Sequence, residues 1–208
     1  MLESTRFYNL ATKPPLRVRV AEIAGNGAAS RAGPPILVVP GWMGDVDRFL
    51  ELGRGLARIG PVLIWEPHGF GRSRAPHRRG LFGAESYVAE MERLLAALEL
   101  RDRQFVILGA SSGASLALHY HLDGRGPKPA ALVLFSPQLE FRVPGWFAIL
   151  DALPSAAARA AQGAVLRLLR SYLRLARPGD ARNVDYAMTQ LARWDDWALR
   201  KFLLEYMR

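Results

Sequence analysis

Between residues 16 and 137 the chain repeats one alternation: a short apolar run, then a stretch whose apolar residues recur every three or four positions. Residues 16–23 alternate apolar and polar side chains, which predicts an early, exposed strand. Residues 35–40 are apolar without interruption, as expected of a strand buried on both faces. Phe49, Leu52, Leu56 and Ile59 then fall on one face of a helix, and residues 61–67 form the next strand. Tyr87, Val88, Met91, Leu94, Leu95 and Leu98 mark a second helix, followed by a strand ending near Ala110, a helix over about 112–122 and a strand over 130–137. This order predicts an α/β fold, a mostly parallel sheet covered by helices.

From about residue 141 no further strand is visible, and the chain reads as helices rich in Ala, Leu, Arg and Trp, punctuated by Pro144, Pro154 and Pro178. We therefore expect two regions, a core over 1–140 and a helical layer over 141–208. Within that layer Arg167, Arg170, Arg174 and Arg177 lie along one stripe of a helix, with Leu168 and Tyr172 opposite. Such a helix could lie on an anionic membrane surface, but one buried and one solvated face in a layered protein is the expected account of the pattern.

Composition narrows the function classes. The 208 residues suffice for one sizeable core, and half of them are hydrophobic. No apolar run reaches the roughly 18 residues a membrane span needs, and the first 15 residues lack the apolar centre of a signal peptide, so we expect a cytoplasmic protein without stable membrane insertion. With no cysteine, disulfides, thiolate nucleophiles and Cys-based metal sites are excluded. The net charge of +9 invites a nucleic-acid reading. Only Lys13, Lys128 and Lys201 are lysines, however, and the arginines are spread along the chain without a nucleic-acid motif, so no nucleic-acid partner is expected.

Candidate chemistry sits where the fifth apolar run meets its helix. In Gly-Ala-Ser-Ser-Gly, Ser111 lies between Gly109 and Gly113. A sharp strand-to-helix turn strains its central residue and leaves no room for side chains two positions away. Such a turn lifts the Ser111 hydroxyl above the sheet edge, at a helix N-terminus whose N–H groups stabilise an anion. The Ser112 amide then supplies half of an oxyanion hole, its side chain being incidental. Upstream, a buried strand ends at Pro40-Gly41-Trp42, and residues 66–76 carry Gly69-Phe70-Gly71-Arg72-Ser73 after another strand.

Together these motifs resemble the α/β-hydrolase superfamily, in its capped serine hydrolase branch, over about residues 16–140. The resemblance implies that Ser111 is the nucleophile, that the amides of Trp42 and Ser112 form the oxyanion hole, with Gly41, Gly109 and Gly113 supporting it, and that no cofactor or metal is needed. Pro40 stands where the family usually has His, and Glu66 where it usually has Asp. Residues 141–208 resemble the family's helical cap, with Trp146, Trp194, Trp197 and Phe202 lining or supporting an apolar pocket above Ser111.

The resemblance also implies two further strands that carry the triad's acid and histidine, and these do not appear in the sequence. A serine hydroxyl without a base is a poor nucleophile. His119 and His121 lie eight and ten residues beyond Ser111 on one helix, more than about 10 Å away. His68 remains a weak candidate for the base, His77 is no better, and Glu140 is a weak candidate for the acid. The simplest expectation is an amino-terminal part of a longer hydrolase, whose last strand would be a bare edge prone to pair into a homodimer. The expected function is hydrolysis of a small or medium apolar ester or related carbonyl substrate, with esterase, lipase, thioesterase, carbon–carbon hydrolase and acyltransferase chemistry unseparated. A non-catalytic binding module on the same scaffold is the alternative.

Overall fold

The computed structural model describes residues 2–42, 44–138, 149, 152–153, 155–176, 185, 189 and 195–206. Its elements are β1 (Glu3–Leu10), β2 (Leu16–Ile23), α1 (Ala28–Ala32), β3 (Ile36–Val39), α2 (Val46–Leu56), β4 (Val62–Glu66), α3 (Ala84–Ala97), β5 (Val106–Ala110), α4 (Ser112–Asp123), β6 (Ala131–Phe135), α5 (Ser155–Ala176) and α6 (Asp196–Lys201), which runs into a π-helical turn, Phe202–Tyr206. The six strands form one sheet in the order β1-β2-β4-β3-β5-β6. β2 pairs antiparallel with β1 and β4, while β4, β3, β5 and β6 run parallel.

The two-residue period of the strands sorts the core into two layers. Leu37, Val39 and Ile107 face one side, against Met91 and Leu94 of α3 and Leu116 of α4. Ile36, Val38 and Leu108 face the other, with Val46 and, partly buried, Phe49 of α2. β3 is buried along its whole length, as its unbroken apolar run implies. Ala198, Leu199, Phe202 and Leu203, near the end of the chain, belong to the first of these layers.

Three sequence expectations are corrected here. β1 is a full strand that the sequence reading misses, because its side chains are mostly exposed and mix polar with aromatic residues. β2 is a buried inner strand rather than an exposed one. Its apparent polarity comes from Arg17, stacked over Phe7 at 4.3 Å, and from Arg19, buried against Glu66 and Asp47. On α2 the buried residues are Val46 and Gly53, whereas Leu52 is 43% exposed and Ile59, beyond the helix end, 64%. A Cβ on Gly53 would lie 2.7 Å from Ile23 Cδ1 and 2.9 Å from Ile64 Cδ1, so the missing side chain lets the helix settle closely on the sheet.

β6 ends the sheet among the described residues, with Val133 41% and Phe135 57% exposed. No helix among the described residues is long and apolar enough to cross a membrane.

Candidate active site

Ser111 occupies the junction between β5 and α4 with φ 54° and ψ −123°, a left-handed conformation that costs a non-glycine residue about 1–3 kcal/mol. The surroundings hold it there. Its N–H donates to the Phe135 carbonyl at 2.8 Å, and its own carbonyl accepts from the N–H groups of Ala114 and Ser115 at 2.9 and 3.2 Å. A Cβ on Gly109 would lie 2.5 Å from Ala114 Cα, and one on Gly113 would overlap the carbonyl oxygens of Val39 and Pro40. Both glycines are therefore steric requirements of the turn. Ser111 itself is partly exposed, while Ser112 is buried.

The loop after β3 lies directly on this turn. A Cβ on Gly41 would sit 2.6 Å from the Ala110 carbonyl oxygen and 2.8 Å from Ser111 Cβ. The next residue, Trp42, donates its backbone N–H to Ser112 Oγ at 2.7 Å. The Ser112 side chain is thus not incidental: it ties the loop to the start of α4 through the amide that the resemblance assigns to the oxyanion hole. The Trp42 indole Nε1 is buried without a hydrogen-bond partner.

Glu66, which replaces the family's usual Asp, is fully buried and organises both neighbouring loops. Its carboxylate accepts the N–H groups of Val46 at 3.0 Å, Arg72 at 2.5 Å and Ser73 at 3.0 Å, with Arg19 Nη1 at 3.5 Å. Burial pushes its carboxyl up from the ordinary range, outweighing the N–H groups of Val46 and Arg72 and the Arg19 charge. Gly71, at φ +44°, lies so close that a Cβ there would come within 2.6 Å of the Glu66 carboxyl carbon. The longer side chain is therefore accommodated by the glycine of the following loop.

The histidines are engaged elsewhere. His68 is fully buried, with Nδ1 on Glu90 Oε2 and Nε2 at 2.8 Å from the Leu81 carbonyl, a fixed acceptor that requires Nε2 to carry its proton. Its ring stacks on Tyr87 at 4.3 Å. Glu90 also accepts from the His68 backbone N–H and from Trp65 Nε1, each at 3.1 Å. This is a buried polar knot, and neither ring nitrogen of His68 is free to take a proton from Ser111. His77 Nε2 lies 2.7 Å from Asp195 Oδ2, and its ring stacks on Trp197. Asp195 caps α6 by accepting from Trp197 and Ala198. Burial raises its pKa, but His77 and the two N–H groups outweigh it and hold the carboxyl below its usual range. His119 is exposed and 3.5 Å from Asp123, and His121 is exposed on the same helix.

Glu140, Trp146 and Trp194 lie outside the described residues. Trp197 packs against Phe82 and His77, and Phe202 stacks on Tyr206 at 4.9 Å. Phe202 and Tyr206 close a cavity of only about 10 Å³ beside Ser112, walled also by Pro40, Phe70 and Tyr87. Tyr206 donates its hydroxyl to the Ser112 carbonyl at 3.2 Å, and burial pushes the Tyr206 phenol well up. The sequence alone points to Phe202 near the pocket but not to Tyr206, whose spacing of four residues from Phe202 on one helical face is the available signal.

A strained serine between two obligatory glycines, with a loop amide aimed at the same turn, is an arrangement suited to attack on a carbonyl carbon. The comparisons with known proteins agree in kind. A family profile described as "Serine aminopeptidase, S33" matches residues 32–194. The uncharacterized hydrolase YraK of Bacillus subtilis (strain 168) is 31% identical over 87 residues, which cover 42% of this chain and 31% of that protein. The chain thus matches about a third of the length of this curated relative. Among solved structures, an α/β hydrolase from Novosphingobium aromaticivorans is 27% identical, with a TM-score of 0.52 over 64% of this chain and 43% of that one. An esterase from Exiguobacterium antarcticum superposes with a TM-score of 0.68 over 96% of this chain and 72% of its own, at 16% identity, a likeness of fold alone. The profile spans most of the sheet, the turn at Ser111 and much of the helical region, and on that match the chain belongs to the serine aminopeptidase S33 family of α/β-hydrolases.

Proposed function

We propose that this chain is a serine hydrolase acting on a small or medium apolar ester or related carbonyl substrate. Ser111 Oγ attacks the carbonyl carbon as its proton passes to solvent water, which supplies the proton that the departing alkoxide takes up, and the carbonyl oxygen that becomes negative is received by the backbone N–H groups of Ser112 and Trp42. The Ser112 hydroxyl, which accepts the Trp42 N–H in the free protein, yields that amide to the substrate oxygen. Collapse of the tetrahedral adduct expels the alcohol and leaves an acyl group on Ser111, which water removes. No metal or redox cofactor enters these steps.

The observation that carries this reading is the backbone of Ser111. A serine held at φ 54° by its backbone hydrogen bonds, in a turn that admits only glycine at 109 and 113, is a costly local structure, and strain of this kind gathers where chemistry needs it. The helices after β6 would act as the cap, with Phe202 and Tyr206 shaping the acyl side of the site.

A second reading, a hydrolase-like scaffold that binds without turnover, draws on the histidines. Among the described residues His68 and His77 are both committed to carboxylates, and His119 and His121 lie far along α4. Hydrolysis of nitrophenyl esters of increasing acyl length, compared between the protein and Ser111→Ala, separates the two. The proposal expects Ser111-dependent acylation that favours short to medium chains, slow where no base assists. An ester rate identical in Ser111→Ala for every chain length supports the scaffold instead.

A further inference from the structure

The turn between β1 and β2, the loop over residues 78–81 and the first three turns of α3 enclose a groove of about 490 Å³ that shares no lining residue with the cavity beside Ser112. Glu85, Ala89 and Arg93 follow one another at four-residue spacing along the α3 wall. Lys13 comes from the β1–β2 turn, and Arg78 and Arg79 from the loop. Leu16 and Leu81, both buried, form an apolar floor.

Four cations therefore converge on a concavity that contains one carboxylate, Glu85. Among the described residues none of the four is held in an ion pair, although Arg19, Arg54, Arg170 and Arg174 elsewhere on the protein all are. The positive end of α3 adds to the same field, since its N-cap is Gly83 and no side chain caps its first turn. Like charges gathered over a low-dielectric floor focus a positive potential and favour a multiply charged anion. Three of the four cations are guanidinium groups, whose planar forks match the oxygens of a phosphate better than a point charge does. The volume suits a small molecule, within the ~300–1,000 Å³ typical of such sites.

We propose that this groove is a binding site for a small phosphate-bearing molecule, separate from the hydrolytic centre. Arg78 and Arg79 grip the phosphate from the loop, Arg93 and Lys13 from the two walls, and Ser86 offers a hydroxyl. Glu85 limits affinity by repelling the ligand's charge.

Isothermal titration of the full chain with inorganic pyrophosphate, in low-salt buffer free of other phosphate, tests this. Saturable one-to-one binding is expected. Affinity should fall about tenfold in Arg93→Gln and further in Arg78→Gln/Arg79→Gln, the loss of one charge-assisted contact or more. Glu85→Gln should bind more tightly, and Arg103→Gln, outside the groove, should be unchanged. All five altered side chains are exposed, so unchanged melting temperatures will certify the folds. No saturable heat at millimolar pyrophosphate, equal affinity in Arg93→Gln, or citrate binding as tightly as pyrophosphate would each overturn the proposal.

Discussion

The backbone N–H of Trp42 donates to the hydroxyl of Ser112 at 2.7 Å, joining the loop after β3 to the first residue of α4 across 70 positions of sequence. The bond fixes an amide beside the strained serine before any substrate arrives. Its removal in Ser112→Ala leaves a partly buried donor unsatisfied and should destabilise the protein by about 1 kcal/mol in urea unfolding. An unchanged midpoint would mean that the hydroxyl does not hold the loop.

The two glycines of the turn predict a steep contrast with Gly163, which stands in open space. Gly113→Ala forces a methyl group into the carbonyls of Val39 and Pro40, backbone that cannot move aside. It should cost about 3 kcal/mol or more, or prevent folding. Gly163→Ala, in the middle of α5 with nothing within 4 Å of the added Cβ, should stabilise by about 0.5–1 kcal/mol. Thermal melts of the two variants check both signs at once.

His68 and Glu90 form a fully buried pair, and removing one partner strands the other. His68→Ala should cost about 3–5 kcal/mol in denaturant unfolding. It should leave the reactivity of Ser111 intact in the folded fraction, because His68 is fixed by Glu90 and Leu81. Loss of Ser111 reactivity with stability unchanged would instead identify His68 as the base.

The His77–Asp195 pair gives a pH dependence of known sign. The folded carboxyl lies below its ordinary value of 3.8, so its contribution is fully present above about 3.8 and is lost as pH falls through the lower folded value. Asp195→Asn keeps a side chain able to cap α6 and removes only the charge. The variant should melt a few degrees lower at pH 7, corresponding to at most about 1 kcal/mol for a half-exposed pair. The difference should close on acidification below 3.8, and a gap that widens there would contradict the pairing.

Much of this architecture is legible in the residue pattern, for identifiable reasons. Ile36–Val39 and Val106–Ala110 are short apolar runs because parallel strands are covered on both faces, so their existence needs no knowledge of partners. Ser111 is legible because Gly109 and Gly113 flank it in a recognisable spacing, Gly109 dictated by Ala114 close by in sequence and Gly113 by the distant carbonyls of Val39 and Pro40. What escapes is decided by distant chain. Arg19 disguises β2 as an exposed strand because its partners, Asp47 and Glu66, are 28 and 47 residues away. The Ser112 hydroxyl, the Glu66 loop brace and the His68–Glu90 pair likewise depend on contacts that no local spacing encodes. Tyr206 reaches the first residue of α4 from 94 residues away, and only its spacing from Phe202 hints at a shared face.

A fluorophosphonate probe tests most directly whether Ser111 is the nucleophile. Intact-mass and peptide analysis of the folded protein after prolonged incubation should show one phosphonyl adduct, located on Ser111 and absent from Ser111→Ala. A folded protein that stays unlabelled, or an adduct that persists in Ser111→Ala, would contradict it.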